Sequence, residues 1–241
     1  MKKIVILSAL FFAVSVSGRA QKTLVVDPNA SLRPVSGDFS SIKVTGGIDL
    51  YLSQSDDVAV AVSASEEKFK EHIKTVIENG TLRIYYDDGS KNRSMKNRKI
   101  KVYVSFRSLE KLNAEGACDV LVTGSIEGAS LDMELSGASD FRGMVKLSSL
   151  KIELSGASDV RISGTANKVD IESSGASDVK GYDLVTDECT AKASGASDIN
   201  ITVNKVISAN ASGASDIYFK GEALIKDMHS SGASTVGRKR S

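Results

Sequence analysis

One five-residue sequence, Ser-Gly-Ala-Ser-Asp, recurs through the second half of this 241-residue chain. With the degenerate copies Glu-Gly-Ala-Cys-Asp and Ser-Gly-Ala-Ser-Thr, its glycine recurs at spacings of 21, 19, 19, 20, 18 and 19 residues. The glycines are Gly116, Gly137, Gly156, Gly175, Gly195, Gly213 and Gly232. A period of this length is typical of a solenoid, in which each repeat stacks on the one before it.

The residues on both sides of each repeated glycine alternate between apolar and polar. Leu150 and Ile152, for example, precede Gly156 by six and four residues, with charged residues between them. The fourth residue after each glycine is again apolar: Val120, Phe141, Val160, Val179, Ile199, Ile217 and Val236. A period of two predicts a strand with one buried face on each side of a corner.

Each repeat is too short for any architecture that needs long connections. Two strands and their turns fill about 19 residues, which leaves no room for the helical crossovers of an α/β sheet. The hairpins of a sandwich would reverse the strand direction, which does not fit identical corners and unchanged apolar columns. We therefore predict an all-β chain that forms a right-handed parallel β-solenoid, or β-helix, with coils stacked about 4.8 Å apart.

The residues of the repeated corner are small enough to stack on one another. Glycine adopts backbone angles that are closed to other residues, and serine and aspartate side chains can bond nearby backbone amides. The stacked aspartates are Asp119, Asp140, Asp159, Asp178, Asp198 and Asp216. Neighbouring carboxylates in such a ladder repel one another by about 1 kcal/mol even in water.

Cations stand beside the middle of this aspartate ladder but not beside its end. The cations that follow an aspartate of the ladder by two residues, and can neutralise it, are Arg142, Arg161 and Lys180. Beside Asp198 and Asp216 the same position holds Asn200 and Tyr218. Asp198, Asp216 and Tyr218 therefore form a candidate ligand edge, although Ca²⁺ would need six to eight oxygens. The alternative is that these aspartates serve only as a structural corner.

The N-terminal half lacks the strict repeat but still alternates, as in "IKVTGGIDLYLSQ" and "TLRIYY". Between such segments, Glu66–Ile77 places apolar residues on one helical face. Ser63 and Glu66 are spaced as a capping box, and Asn79-Gly80 is a stop signal, which together predict one short helix. We expect this half to form irregular coils and a cap over the open end of the solenoid.

The opening of the chain, MKKIVILSALFFAVSVSGRAQ, has the pattern of a cleavable secretory signal peptide. Its apolar run is shorter than the roughly 20 residues that span a bilayer, and no second such run follows. We expect export to the periplasm, the outer-membrane surface or the medium. Removing Lys2, Lys3 and Arg19 from 31 basic residues leaves 28 against 30 acidic ones, and this balance does not indicate a nucleic-acid binder.

These observations predict one continuous body rather than independent domains. Its parts are a signal peptide (1–20), an N-terminal extension (21–34), irregular coils and a cap (35–115), the regular solenoid (116–236) and a basic tail (237–241). One irregularity falls in the last coil, where Lys226 occupies an inward position. A bulge or a one-residue shift is expected there.

Two cysteines, Cys118 and Cys189, could in principle pair in an oxidising compartment. Cys118 takes the serine position of its corner and Cys189 an inward position, so they lie about 3.7 coils, or roughly 17 Å, apart along the stack. A disulfide needs Cα atoms within about 7 Å. We therefore predict that both thiols are free.

A basic loop offers a second candidate site, for an anionic partner. It comprises Lys91, Arg93, Lys96, Arg98 and Lys99. Attraction to anionic glycans or lipid headgroups is one interpretation, and a solvated hairpin loop is the other. No aromatic residue is interleaved with these cations, which argues against single-stranded nucleic acid.

Several segments together resemble a known family. They are "FSSIKVTGGIDLYLSQSDDVAVAVSA", "NGTLRIYY", "SLEKLNAEGACDV" and the serial SGASD copies. Over roughly residues 35–236 the chain is similar to the head GIN domain family of auto-transporter adhesins from Bacteroidetes-type bacteria. The signature triplet stands here as Gly47-Ile48-Asp49, with Asp in place of Asn. The resemblance implies a cell-envelope β-solenoid and carries over neither a ligand nor catalytic residues.

Three classes of function are compatible with such a solenoid: an enzyme, a binding module and a structural protein. Catalysis needs groups with different environments and pKa values, whereas the aspartate ladder repeats one residue. The sequence has no metal-ligand spacing, phosphate loop or nucleophile motif. We predict a non-catalytic envelope interaction module without a cofactor. The sequence does not identify its ligand, for which an envelope glycan and another envelope protein are the two candidates. The alternatives are a structural or envelope-stress protein and a polysaccharide-acting enzyme.

Overall fold

The computed structural model describes residues 27–87, 89 and 98–239, and these are built almost entirely from β-strands. The predicted signal peptide lies outside the described residues. One helix, Glu67–Lys70 (α1), is present among them. The strands are Ser31–Arg33 (β1), Ser41–Gly46 (β2), Ile48–Gln54 (β3), Ala59–Ser63 (β4), Ile73–Glu78 (β5), Thr81–Tyr86 (β6), Ile100–Phe106 (β7), Lys111–Gly116 (β8), Asp119–Gly137 (β9), Asp140–Leu154 (β10), Asp159–Ser173 (β11), Asp178–Ala193 (β12), Asp198–Gly213 (β13), Asp216–Lys220 (β14), Leu224–Gly232 (β15) and Thr235–Arg238 (β16).

The SGASD repeats form a parallel β-solenoid of about seven coils, which confirms the prediction. Strands β9 to β13 pair in parallel, each with the next. Equivalent residues of successive repeats lie side by side, as with Asp140 and Asp159 or Ile152 and Ile171. The right-handed coil direction stays a prediction.

The core is a set of inward columns that run along the solenoid. One column continues from Leu112 through Met133, Ile152 and Ile171, all of them buried. It extends beyond the repeats to Ile42, which pairs with Leu112 and is also buried. The alternating pattern of the sequence therefore corresponds directly to burial, because every second residue of a strand faces the same side.

The N-terminal half follows the same coil plan, but its chain order differs from its stacking order. Strands β2 and β3 form one coil, and β8 and β9 pair in parallel with one side of it. Strands β6 and β7 pair in parallel with the other side. The chain thus builds an inner coil, then the coil outside it, and only then the regular stack. This order explains why the 19-residue spacing is missing before Gly116.

Antiparallel strands cover the N-terminal end of the solenoid. Strand β5 pairs with β6, β4 with β7, and β1 with β4, all antiparallel. The Tyr103 hydroxyl donates a 2.8 Å hydrogen bond to Asp27 Oδ2, which holds the start of the described chain against β7. Burial, and then this bond, raises the pKa of Tyr103. Burial alone would raise the pKa of Asp27, but the hydrogen bonds that its carboxylate accepts lower it.

The predicted helix is much shorter than its sequence pattern indicates. Of Glu66–Ile77, only Glu67–Lys70 is helical, and Ile73–Glu78 is the strand β5. The cap residue Glu66 makes no side-chain capping bond, so the predicted capping box is wrong. Asn79 and Gly80, with φ of 50° and 72°, form the turn of the β5–β6 hairpin instead of ending a helix. The β-branched residues of β5 favour a strand once β6 is available as a partner.

The irregularity predicted in the last coil is a bulge at Lys226. Ile225 pairs with Ile207, whereas the next pair is Asp227 with Ser208. Lys226 is therefore the extra residue in β15. A single inserted residue lets the charged side chain leave the inward column while the rest of the strand keeps its register.

Candidate functional site

A column of buried serines closes the repeated corners from the inside. The fourth residue of each SGASD copy is fully buried at Ser139, Ser158, Ser177, Ser197 and Ser215. The Ser158 hydroxyl donates to the Ser155 carbonyl at 3.2 Å and accepts the Ser139 N–H of the preceding coil at 3.3 Å. The sequence predicted bonds from serine to nearby amides. The structure shows instead that the hydroxyl bonds a carbonyl three residues earlier and an amide one coil away.

A Ser158→Ala variant should lose about 1–3 kcal/mol of unfolding free energy, because a buried N–H and a partly buried carbonyl lose their partner. Urea unfolding followed by circular dichroism measures the change. Cys118→Ser is the matched control, since Cys118 occupies the same position and its thiol donates to the Gly46 carbonyl at 3.2 Å. The control should stay within about 1 kcal/mol of wild type. Equal losses of unfolding free energy in both variants would show that the hydroxyl bonds of Ser158 do not cause the loss.

The predicted aspartate ladder is present on the outer side of the corners. Each aspartate of the ladder pairs with the equivalent aspartate of the next coil. The carboxylates are partly satisfied along the stack, because the Asp159 N–H donates to Asp140 Oδ1 at 3.3 Å and the Asp216 N–H to Asp198 Oδ1 at 3.2 Å. Bonds between coils therefore offset part of the carboxylate repulsion.

Cations neutralise the middle of the ladder, but unequally. Lys180 Nζ lies 3.1 Å from Asp159 Oδ2 and 3.4 Å from Asp178 Oδ2, and the bond with Asp159 is the main cause that raises the pKa of Lys180. Arg161 lies 3.6 Å from Asp159 Oδ2. Arg142 forms no ion pair with any residue that the structure describes. Its exposed guanidinium is therefore available to an outside group.

The ladder has one more member than the sequence repeat indicates. Asp49 pairs with Asp119, and Gly46 pairs with Gly116 at the corner. Burial and then the Asp119 charge raise the pKa of Asp49. The family triplet Gly47-Ile48-Asp49 thus lies in the first corner of the solenoid. The signal in the sequence was the spacing of Gly46 and Asp49, which matches that of glycine and aspartate in every complete SGASD copy.

Beside the ladder runs a second outward column, which we call the outer column. Each of its residues pairs with the next along the solenoid axis: Tyr103, Tyr51, Leu121, Arg142, Arg161, Lys180, Asn200 and Tyr218. The Tyr51 and Tyr103 rings stack with centroids 4.9 Å apart. Unlike the corners, this column changes its residue type along the stack. It therefore carries aromatic, apolar, basic and amide groups on one continuous strip.

A shallow groove lies along the middle of the outer column. Its lining includes Leu121, Arg142, Met144, Arg161 and Lys180. Leu121 and Met144 are large apolar side chains that are 38% and 44% exposed. The groove therefore combines an unpaired guanidinium with apolar surface, which suits a ligand that has both an anionic group and a nonpolar face.

The opposite side of the corners carries charges that pair with one another. Glu134, Glu153 and Glu172 line a groove there. Lys151 lies 2.7 Å from Glu153, and Lys192 lies 2.6 Å from Glu172. The Asn113 amide donates to Glu134 at 2.9 Å. Because these carboxylates already have partners, this face offers a weaker attraction to a charged ligand than the outer column.

The candidate ligand edge is brought together as the sequence predicted, although its role stays a proposal. Asp198 and Asp216 are paired neighbours, and Tyr218 pairs with Asn200. Asp216 Oδ1 accepts the Thr235 N–H at 2.9 Å, so that carboxylate also bonds the next coil. The Lys239 ammonium lies 5.9 Å from the centre of the Tyr218 ring. The edge thus joins the end of the aspartate ladder, Asp198 and Asp216, to the end of the outer column at Tyr218.

Nearby, Tyr182 is an aromatic residue outside the three residues of the candidate ligand edge. Its ring has Lys220 Nζ at 4.8 Å and Lys239 Nζ at 5.6 Å from its centre. Burial raises the pKa of Tyr182, followed by the influence of Tyr218. Tyr182 lies in the segment between Gly181 and Val185, where the register of the pairing between β12 and β13 shifts. That shift depends on tertiary pairing and could not be located from the sequence.

Most of the predicted basic loop lies outside the described residues, namely Lys91, Arg93 and Lys96. Arg98 is described, and its guanidinium lies 4.3 Å from the centre of the Tyr86 ring. Lys99 is exposed and has φ of 42°. The loop connects β6 to β7, the coil outside the first SGASD-like corner. Arg98 therefore has a contact within the protein, and binding of an anionic partner stays a prediction.

Both cysteines are free and buried, as predicted. Burial raises the pKa of Cys118 to about 11 and that of Cys189 to about 12. Both thiols are therefore protonated at neutral pH, and their role is that of small core residues.

Within residues 27–87, 89 and 98–239, no group of three or more His, Cys, Asp or Glu side chains is placed to hold a metal ion. The same part of the chain contains no helix with the length and apolar character needed to cross a membrane.

Solved structures share this fold at low sequence identity. A putative adhesin from Bacteroides fragilis is 22% identical, with a TM-score of 0.81 over 87% of this chain and 96% of that one. A putative adhesin from Parabacteroides merdae is 16% identical, with a TM-score of 0.67 over 88% and 97%. A Parabacteroides distasonis protein described as a putative lipid binding protein is 19% identical, with a TM-score of 0.66 over 88% and 97%.

No curated protein matches the chain in sequence. A family model does match, over residues 38–223, and its description is putative auto-transporter adhesin, head GIN domain. The matched range runs from just before β2 to just before β15, and so includes the corner at Gly47-Ile48-Asp49 and the aspartate ladder. The chain belongs to the head GIN domain family.

Proposed function

We propose that the protein is a non-catalytic interaction module of the cell envelope that binds an extended anionic glycan along the outer column. The observation that carries the proposal is the column itself. It is in register over the length of the solenoid, yet its residue types differ from coil to coil. Stacking alone favours repetition, as the corners show, so a varied strip on a repetitive body is typical of a surface selected for binding.

The chemistry of the strip favours an anionic ligand with sugar rings. The unpaired Arg142 guanidinium can donate two parallel hydrogen bonds to a carboxylate or phosphate. Leu121, which pairs with Arg142, and Tyr51, one coil further along the column, offer apolar surface on which the nonpolar face of a sugar can lie. Successive coils about 4.8 Å apart give a linear polymer several regularly spaced positions along which to bind.

Two further features support an exported, non-catalytic role. The opening of the sequence has the pattern of a signal peptide, which agrees with a place in the periplasm, on the outer-membrane surface or outside the cell. The groups with the largest pKa shifts are Tyr103, Cys118 and Cys189. They lie on β7, in a corner and in the core, and none of the three lines either groove.

Binding to a polyuronate tests the proposal, with a neutral dextran as the comparison ligand. Arg142→Ala should weaken polyuronate binding about 10-fold or more, because a hydrogen-bonded charge pair is lost. Lys168→Ala removes an equal charge from another exposed site and should change binding less than about twofold. Wild-type affinity should fall as salt rises.

Four results would contradict this assignment. One is equal binding by wild type and Arg142→Ala with unchanged thermal melting. Another is loss of binding only when Lys91, Arg93 and Lys96 are changed to Ala, which would move the site to the basic loop. The third is binding to anionic lipid vesicles without binding to polyuronate, which would make the ligand a lipid headgroup. A protein that binds none of the probes would favour a structural role.

A further inference from the structure

The two ends of the solenoid differ in the strands that cover them. Antiparallel strands cover the N-terminal end, as described above. The last coil consists of β15 and β16, and among the described residues β15 pairs only with β13 and β16 only with β14. One edge of each strand therefore lacks a strand partner in this part of the chain. Such an edge presents unpaired N–H and carbonyl groups that readily accept another strand.

The last coil also exposes residues that belong to the core columns. Ile225 and Met228 are 48% and 45% exposed. The residues that they cover in the preceding coil, Ile207 and Ala209, are 1% and 4% exposed. All residues of β15 are exposed. The inward columns therefore continue to the last coil, where no further strand among residues 27–87, 89 and 98–239 covers them.

We propose that a second copy of this chain covers the end, by antiparallel pairing of β15 with the β15 of that copy about a two-fold axis at Met228. A two-fold axis perpendicular to the solenoid axis makes facing strands antiparallel and the interface self-complementary. This inference concerns assembly and does not depend on the proposed glycan site.

The pairing of carboxylate with imidazole, without opposed acids, favours this register. With Met228 opposite Met228, Asp227 of each copy faces His229 of the other. The two groups already lie 2.9 Å apart within one chain, so the dimer would place two acids and two imidazoles together. Lys226 faces Ser230, so no like charges of this strand are opposed. A register centred on Asp227 would instead place two carboxylates opposite each other, which is unfavourable.

The oligomeric state of the exported chain, without residues 1–20, tests the proposal. Sedimentation velocity should show a dimer at micromolar concentration. Met228→Lys places two ammonium groups face to face and should weaken dimerisation by roughly 100-fold or more. Its melting temperature at a concentration where both proteins are monomeric should match that of wild type, because position 228 is already half-exposed. A strictly monomeric wild type, or indefinite fibres, would overturn the proposal.

Cross-linking tests the register independently of stability. Met228→Cys should form a covalent dimer on mild oxidation, because residue 228 faces itself across the axis. Lys226→Cys is the control in the same strand. The two copies of residue 226 would lie four residues apart along the strands, roughly 13 Å, which is beyond disulfide reach. Equal cross-linking of both variants would overturn the register. His229→Asp should weaken the dimer, and adding Asp227→His should restore it.

Discussion

A Gly156→Ala variant should lose about 3–5 kcal/mol of unfolding free energy, from backbone strain and overpacking together. Gly156 has φ of 81°, where L-residues with a Cβ are strained. A Cβ at this position would lie 2.4 Å from the Gly137 carbonyl oxygen of the preceding corner. That oxygen cannot move easily, because it accepts the Ala157 N–H at 2.7 Å. Chemical denaturation of both proteins measures the loss.

Gly124→Ala is the matched control for this variant. Gly124 has φ of 82°, but a Cβ there would meet no atom within 4 Å. Gly124→Ala should therefore lose only the unfolding free energy that comes from backbone strain, about 1–2 kcal/mol. The difference between the two variants isolates the stacking clash. If both lose the same amount, the close approach of successive corners does not limit the residue, and the explanation of the repeated glycine is wrong.

A Phe141→Ala variant should lose about 3–5 kcal/mol of unfolding free energy, because it leaves a cavity in the narrow interior. Phe141 is fully buried and stacks between Val120 and Val160 in the inward column after the corner. Its ring also occupies the space beside Gly143, where a Cβ would lie 2.9 Å from the Phe141 Cζ atom. Neighbouring coils are held by their own backbone ladders and cannot collapse into the cavity.

The control for Phe141 lies on the same strand. Met144→Ala removes a large side chain that is 44% exposed and should change stability by less than about 0.5 kcal/mol. Thermal melting of the three proteins under one condition gives the comparison. A small loss for Phe141→Ala would mean that the interior of the solenoid repacks, contrary to a rigid stack of columns.

In the candidate site, the sequence pattern predicted the positions of residues but not their ion pairs. Asp198, Asp216 and Tyr218 were placed on one edge by counting from glycine, and their pairing in the structure agrees. Arg142 was assigned to neutralise the ladder, but it forms no ion pair with any described residue, and that difference makes it the anchor of the proposed site. Ion pairing depends on side-chain directions and on exact neighbours, which the spacing of residues does not specify.

The sequence by itself determined the regular solenoid, its inward columns and its aspartate ladder. Because the repeats are nearly identical, a stacked solenoid is the arrangement that buries every second residue and also places the small corner residues on one another. Tertiary structure alone decided the order of the first coils and the strand conformation of Ile73–Glu78. It also identified the corner at Gly46, for which the sequence offers only the spacing to Asp49. Those features depend on which distant strand is available as a partner, because a strand is completed by hydrogen bonds that local sequence does not encode.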